Sequence, residues 1–223
     1  MRESREERLG FIDGNFDRVR EEKKICIVGC GGVGSNLAML LARSNFLNLV
    51  LVDFDLVDKS NLSRQSFLEK DIGREKAECL GEHIISVNNE CKIEMFNEKL
   101  DENNSERIFD DCDLIVDATD NFETRKTINS YCERNKKDWL YNGAIRSEFV
   151  SCLFKGEDML FEKVFPKGIE DEKAEDVGVL NSTPFICAGL AYNKILKYFL
   201  GIKDNNMIKG DFFKEKFFNI KTK

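Results

Sequence analysis

The chain has 223 residues, of which 42% are hydrophobic and 34% charged, and a formal net charge of −7. That is the profile of one folded domain with a buried core, and the acidic balance argues against binding to nucleic acid, which needs clustered Lys and Arg to neutralise phosphates. No apolar run is long enough to span a bilayer, and the Arg- and Glu-rich start lacks the apolar centre of a signal peptide, so a cytoplasmic protein with no membrane partner is expected.

Residues 1–22 form an amphipathic helical arm, with a break expected near Gly14. The apolar run 25–28 then leads into Gly29-Cys30-Gly31-Gly32-Val33-Gly34, and residues 35–42 continue with helix formers. That order predicts strand, tight turn, helix. A second buried strand covers 49–53 and ends on Asp53; residues 75–87 carry apolar positions at helical spacing; 92–96 reads as strand, 104–109 as a short helix, 114–117 as strand and 123–132 as helix. This alternation predicts a Rossmann-like, doubly wound, mostly parallel sheet that binds its ligand at the carboxyl ends of the strands.

After Trp139 the pattern changes, because 139–144 and 149–154 are consecutive strand-like runs with no helix between them. Antiparallel strands are expected there. Residues 155–178 are acidic and weakly periodic, a candidate substrate-crossing loop. Ser182, Thr183 and Pro184 start a buried helix that Gly201 closes, and 207–223 reads as a closing strand or hairpin. The eight cysteines include no Cys-x-x-Cys pair and read as reduced, structural thiols; Cys187 in particular reads as a core thiol.

The glycines Gly29, Gly31, Gly32 and Gly34 stand where backbone amides at a helix N-terminus hold phosphate. Asp53, about twenty residues further on, suits ribose hydroxyls. Both features serve NAD as well as ATP. The runs Asp53-Phe54-Asp55, Asn61-Leu62-Ser63-Arg64-Gln65 and Gly73-Arg74-Glu75-Lys76 discriminate, because a triphosphate needs cations: the Arg64 guanidinium suits bidentate phosphate contact and Lys76 supplies a point charge. In Asp117-Ala118-Thr119-Asp120-Asn121, Asp120 is a candidate magnesium ligand, while either Asp120 or Asn121 could instead cap the following helix.

These runs together resemble the ThiF/MoeB/HesA group of adenylyltransferases, which are similar to ubiquitin-activating enzymes. The resemblance covers most of the chain, most densely 25–121 and again 178–201. It implies binding of ATP and magnesium, with Gly29, Gly31, Gly32, Gly34, Asp53, Asp55, Asn61, Arg64, Gln65 and Lys76 holding nucleotide and Asp120 the metal. It further implies adenylation of the C-terminal carboxylate of a ubiquitin-like sulfur-carrier protein (ThiS/MoaD-like) with a Gly-Gly tail. A homodimer is implied too, in which an arginine of the N-terminal arm crosses to the other subunit. Counting back from Gly29 puts Arg5 in that place, with Arg8 the alternative.

The sequence departs from the family in two places. The Cys-x-x-Cys pairs of a structural zinc site are absent, the first falling near Met159 and Glu162, so no zinc is expected. Ala174 stands where some relatives carry a reactive cysteine. The competing readings are adenylation of a small molecule or modified tRNA base, a NAD-dependent oxidoreductase, and a non-catalytic nucleotide-binding partner.

Overall fold

In a computed structural model, described for residues 6, 9, 12, 14–156, 161–165, 177–204 and 206–221, strands and helices alternate through the first two thirds of the chain. In order they are α1 (Gly14–Glu22), β1 (Lys24–Val28), α2 (Gly32–Arg43), β2 (Asn48–Val52), α3 (Lys76–Val87), β3 (Lys92–Phe96), α4 (Ser105–Phe109), β4 (Leu114–Asp117) and α5 (Phe122–Asn135). The antiparallel part follows as β5 (Trp139–Ile145), β6 (Glu148–Phe154), α6 (Phe161–Val164), α7 (Ser182–Phe199), β7 (Asn206–Asp211) and β8 (Lys216–Lys221). Two 3₁₀ turns, Lys59–Ser63 and Glu69–Asp71, lie between β2 and α3.

The strands form one sheet in the order β3-β2-β1-β4-β5-β6-β7-β8. From β3 to β5 all neighbours pair in parallel, and from β5 to β8 all pair antiparallel. The central strands read as unbroken apolar runs because both faces are covered. Ile25, Ile27, Leu49 and Leu51 point into a core shared with α2, α3 and α7, where Leu37, Leu41, Ile84 and Ile195 lie. Cys26, Val28, Val50 and Val52 point the other way, towards Ile108, Phe109, Ile128 and Tyr131 of α4 and α5. The result is three layers with the carboxyl ends of β1, β2 and β4 at one rim.

The change of direction after β5 has a local cause. A connection of only Arg146 and Ser147 joins β5 to β6, too short for the crossover that a parallel neighbour requires. Arg146 takes a left-handed φ of 51° to make it. The helix of the arm begins at Gly14, where a break was expected, and Phe16 buries against Phe46. Arg20 of α1 is fully buried, 2.6 Å from Glu6, whose carboxylate also accepts from the Tyr192 hydroxyl of α7.

Within the candidate crossing loop 155–178, residues 161–164 are helical and firmly seated: the Phe161 ring stacks on Phe122 at 5.9 Å, and the Phe165 ring meets Tyr141 at 4.9 Å. Two aromatic residues four apart are too few to register as periodicity, but they face one side of a helical turn.

Candidate functional site

A cleft opens at the carboxyl ends of β1, β2 and β4, roofed by the start of α7. It is lined by Gly29, Gly31, Gly32, Asp53, Asp55, Asn61, Arg64, Gln65 and Asp120 among the residues singled out in sequence. Gly34 and Lys76 do not line it, and Arg5, Arg8, Met159 and Ala174 lie outside the described residues.

The glycine turn divides its work. Gly29 has a φ of 90°, and a Cβ on Gly34 would stand 1.8 Å from the Gly29 carbonyl oxygen, so these two let β1 and α2 meet. A Cβ on Gly31 would meet nothing nearer than the Gln65 side-chain nitrogen at 3.9 Å; the space over Gly31 is open to a ligand. Helix α2 starts at Gly32 without a side-chain cap, which leaves its first amides facing the cleft as anion donors.

Asp53 supports this turn. One carboxylate oxygen accepts from the Cys30 amide at 2.6 Å and the other from the Asp55 amide at 2.8 Å. Burial raises its pKa, against the opposing pull of Lys76. Lys76 opens α3, and its ammonium lies 2.8 Å from the Asp55 carboxylate with a side chain only 9% exposed. The lysine therefore stands one contact behind the cleft wall, where it neutralises Asp55 and eases the burial of Asp53.

The 3₁₀ turn after β2 is a capped unit. Asp58 accepts from Ser60, and Asn61 returns the bond by accepting from the Asp58 amide at 3.0 Å. Its last carbonyl, on Arg64, accepts from Asn36 of α2 at 3.0 Å, and the Ser66 amide donates to the Ser35 hydroxyl. The Arg64 guanidinium makes one bond, to the Ser60 carbonyl at 2.9 Å, and has no carboxylate partner among the described residues. The Gln65 side-chain oxygen is buried with no hydrogen-bond partner among them. A buried polar atom left unmade costs about 1–3 kcal/mol, which a donor on a bound ligand would recover.

On the β4 side, Asn121 caps α5 by accepting from the Thr124 amide at 3.1 Å. Capping is thereby assigned, and Asp120 is exposed in the cleft with no partner among the described residues. Asp117 is fully buried, bonded to the Thr119 amide and hydroxyl and to Arg125, with burial raising its pKa. Of the lining carboxylates, Asp55 is paired with Lys76 and Glu98 with Arg107, and Asp53 is bonded through both oxygens, so Asp120 alone is uncommitted. One carboxylate fits magnesium only when phosphate oxygens and waters complete the shell. Among the described residues no three of His, Cys, Asp or Glu gather in a metal-holding group.

Several lining residues escaped sequence reasoning: Phe54, Leu100, Asn142, Ala144, Val179 and Pro184. Asn142 had a signal, being an amide inside an otherwise buried strand; it donates to the Asp117 carbonyl and accepts from Ser151. Ser35 and Asn36, which brace the 3₁₀ turn from α2 without lining the cleft, had a similar one, as polar residues inside an apolar helix. Val179 and Pro184 had none, since only the fold carries the 177–184 segment across to the glycine turn. No described helix is long and apolar enough to cross a membrane.

Solved structures with this fold include E. coli MccB with ATP, at a TM-score of 0.77 and 19% identity over 93% of this chain and 67% of that one. E. coli MccB with MccA-N7isoASN superposes at a TM-score of 0.80 with 21% identity, over 92% of this chain and 66% of that one. Among curated proteins, a probable molybdopterin-synthase adenylyltransferase of Porphyra purpurea is 32% identical over 84% of this chain and 50% of its own length. Ubiquitin-like modifier-activating enzyme 5 of Caenorhabditis elegans is 28% identical over 92% of this chain and 54% of its own. The chain thus spans about half the length of the curated relatives it matches. A family model described as ThiF family matches residues 4–223, nearly the whole sequence, and the chain belongs to that family.

Proposed function

We propose that this chain, as a single adenylyltransferase domain, uses ATP and magnesium to adenylate the C-terminal glycine carboxylate of a ubiquitin-like sulfur-carrier protein ending in Gly-Gly. The observation that carries this reading is the cleft that brings together an unpaired guanidinium, an uncommitted carboxylate and an open glycine turn, on Arg64, Asp120 and Gly31. A carboxylate oxygen of the carrier attacks the α-phosphorus of ATP, the bond from that phosphorus to the bridging oxygen breaks, and pyrophosphate leaves.

Both reactants are anions, so the protein's task is to position them and neutralise charge. The α2 amides and Arg64 hold phosphate oxygens, Gln65 accepts from the bound nucleotide, and Asp53 keeps the glycine turn in shape while facing the ribose. Lys76 acts through Asp55. Asp120, together with the phosphates, would hold magnesium, which would supply charge neutralisation. In a homodimer the arm of a second copy would add Arg5. The names of the Porphyra and Caenorhabditis relatives support the substrate class.

The test is to mix the purified chain with magnesium ATP and a panel of ubiquitin-fold carriers ending in Gly-Gly, and to read each carrier by intact mass. A carrier that gains AMP, with pyrophosphate released and the gain lost in Arg64→Ala, is the expected result. Pyrophosphate exchange with cell extract but no carrier adduct would move the substrate to a small molecule. No exchange at all would sink the adenylation reading.

A further inference from the structure

Two polar residues, Ser35 and Asn36, interrupt the apolar run of α2. Asparagine is a poor helix former in a helix interior, because its side chain competes for backbone groups, so its place here calls for a compensating contact. The Asn36 side chain makes three. Its nitrogen donates to the Gly32 carbonyl at 2.6 Å and to the Arg64 carbonyl at 3.0 Å, and its oxygen accepts from the Ser66 hydroxyl at 2.7 Å. With the amide turned over, an oxygen would face two carbonyls, so one orientation alone satisfies the site. Ser35 adds a parallel tie by accepting from the Ser66 amide at 3.0 Å, and the Ser66 carbonyl lies 3.0 Å from Nδ1 of His83 in α3. None of Ser35, Asn36 and Ser66 lines the cleft, yet the ties fall on Arg64 and Ser66, on either side of Gln65, and both Arg64 and Gln65 do line it.

Two groups in the cleft can grip an anion: the first amides of α2 and the Arg64 guanidinium. They belong to separate elements. Asn36 joins the backbone of one to the backbone of the other, at the Gly32 carbonyl where α2 starts and at the Arg64 carbonyl where the 3₁₀ turn ends. The Arg64 side chain itself makes one bond, to the Ser60 carbonyl of the same turn, so the place of its head group follows from where its own backbone is held. Resting on the ATP reading above, we propose that Asn36 is a positioning residue that sets the separation between the Arg64 guanidinium and the α2 amides, so that one triphosphate meets both. Asn36 touches no ligand. It acts through Arg64, and a clamp of this kind depends on placement to within about 1 Å.

A cycle of variants tests it, read by the dissociation constant of magnesium ATP in an NMR titration with no carrier present, so that no turnover intrudes. Asn36→Ala should weaken ATP by about tenfold in the parent chain and by less than about twofold in Arg64→Ala, because the group it positions is then gone. Ser66→Ala, which removes a single hydroxyl, should weaken ATP by less than Asn36→Ala does and add nothing when the two are combined. Equal factors for Asn36→Ala in the parent and in Arg64→Ala would make the residue a structural brace alone and overturn the proposal. Parent-like ATP affinity in Asn36→Ala would overturn it too. Coupled losses in a chain that exchanges no pyrophosphate with any carrier would uphold the positioning role and count against the adenylation reading. No binding of ATP by the parent chain would sink both.

Discussion

Arg64 and Asp120 do little for the fold. The first makes a single bond, to the carbonyl four residues before it, and the second has no partner among the described residues. Arg64→Ala and Asp120→Ala should each lower pyrophosphate exchange by about 10²–10³, the loss seen when one preorganised charge-stabilising group is removed, while melting stays near that of the parent. Asn121→Ala should do the reverse, costing about 1 kcal/mol of stability through the lost cap and sparing most of the exchange rate. Exchange assays and thermal melts on the three variants check the pattern, and melting losses in Asp120→Ala as large as in Asn121→Ala would contradict it. Asp120 and Asn121 were interchangeable in the sequence because both side chains can cap a helix; only the path of the chain out of β4 separates them. Lys76 was legible as a cation, but its partner Asp55 lies 21 residues away, and nothing local indicated that the pair would form.

At the scale of elements, the parallel half of the sheet was legible because strands buried on both faces must be apolar throughout, and glycine or acidic residues mark their ends. The seat of α6 was not, because its partners Phe122, Trp139 and Tyr141 come from two other elements, α5 and β5. Trp139 is the single tryptophan, and the Phe161 ring is 5.8 Å from it. Phe161→Ala should therefore shift Trp139 emission to the red and speed proteolysis within 155–178 while the core stays folded; unchanged emission would mean α6 does not hold that seat. The hairpin of β7 and β8 is tied by Asp211, which accepts from the Ser147 hydroxyl and is pulled down to about 2 chiefly by its bond to Lys214. A carboxylate with a lowered folded pKa contributes stability above its unfolded pKa and loses it as pH falls through the folded one. The tie should hold at neutral pH and weaken between about pH 4 and 2. Resonances of the Lys214 amide should follow that titration, and Asp211→Asn should abolish it.

For the whole molecule, the cleft is a junction. It draws residues from β1, β2 and β5, from the loop that follows β4, from the 3₁₀ turn, and from the segment entering α7. A ligand there contacts elements from both the parallel and the antiparallel halves, so binding should stabilise the chain as a unit. One that binds only the folded state at 100 times its dissociation constant adds about 2.7 kcal/mol. For a domain of this size each kcal/mol moves the midpoint by about 2–4 °C, so saturating magnesium ATP should raise it by about 5–11 °C. The glycine turn and Asp53 alone would accept NADH equally well, and the difference rests on Arg64, Gln65 and Asp120. NADH should therefore leave the midpoint near its starting value, and Arg64→Ala should remove most of the ATP shift. Equal shifts with both nucleotides would mean that the turn and Asp53 dominate binding and that the cation and carboxylate across the cleft do not select the triphosphate.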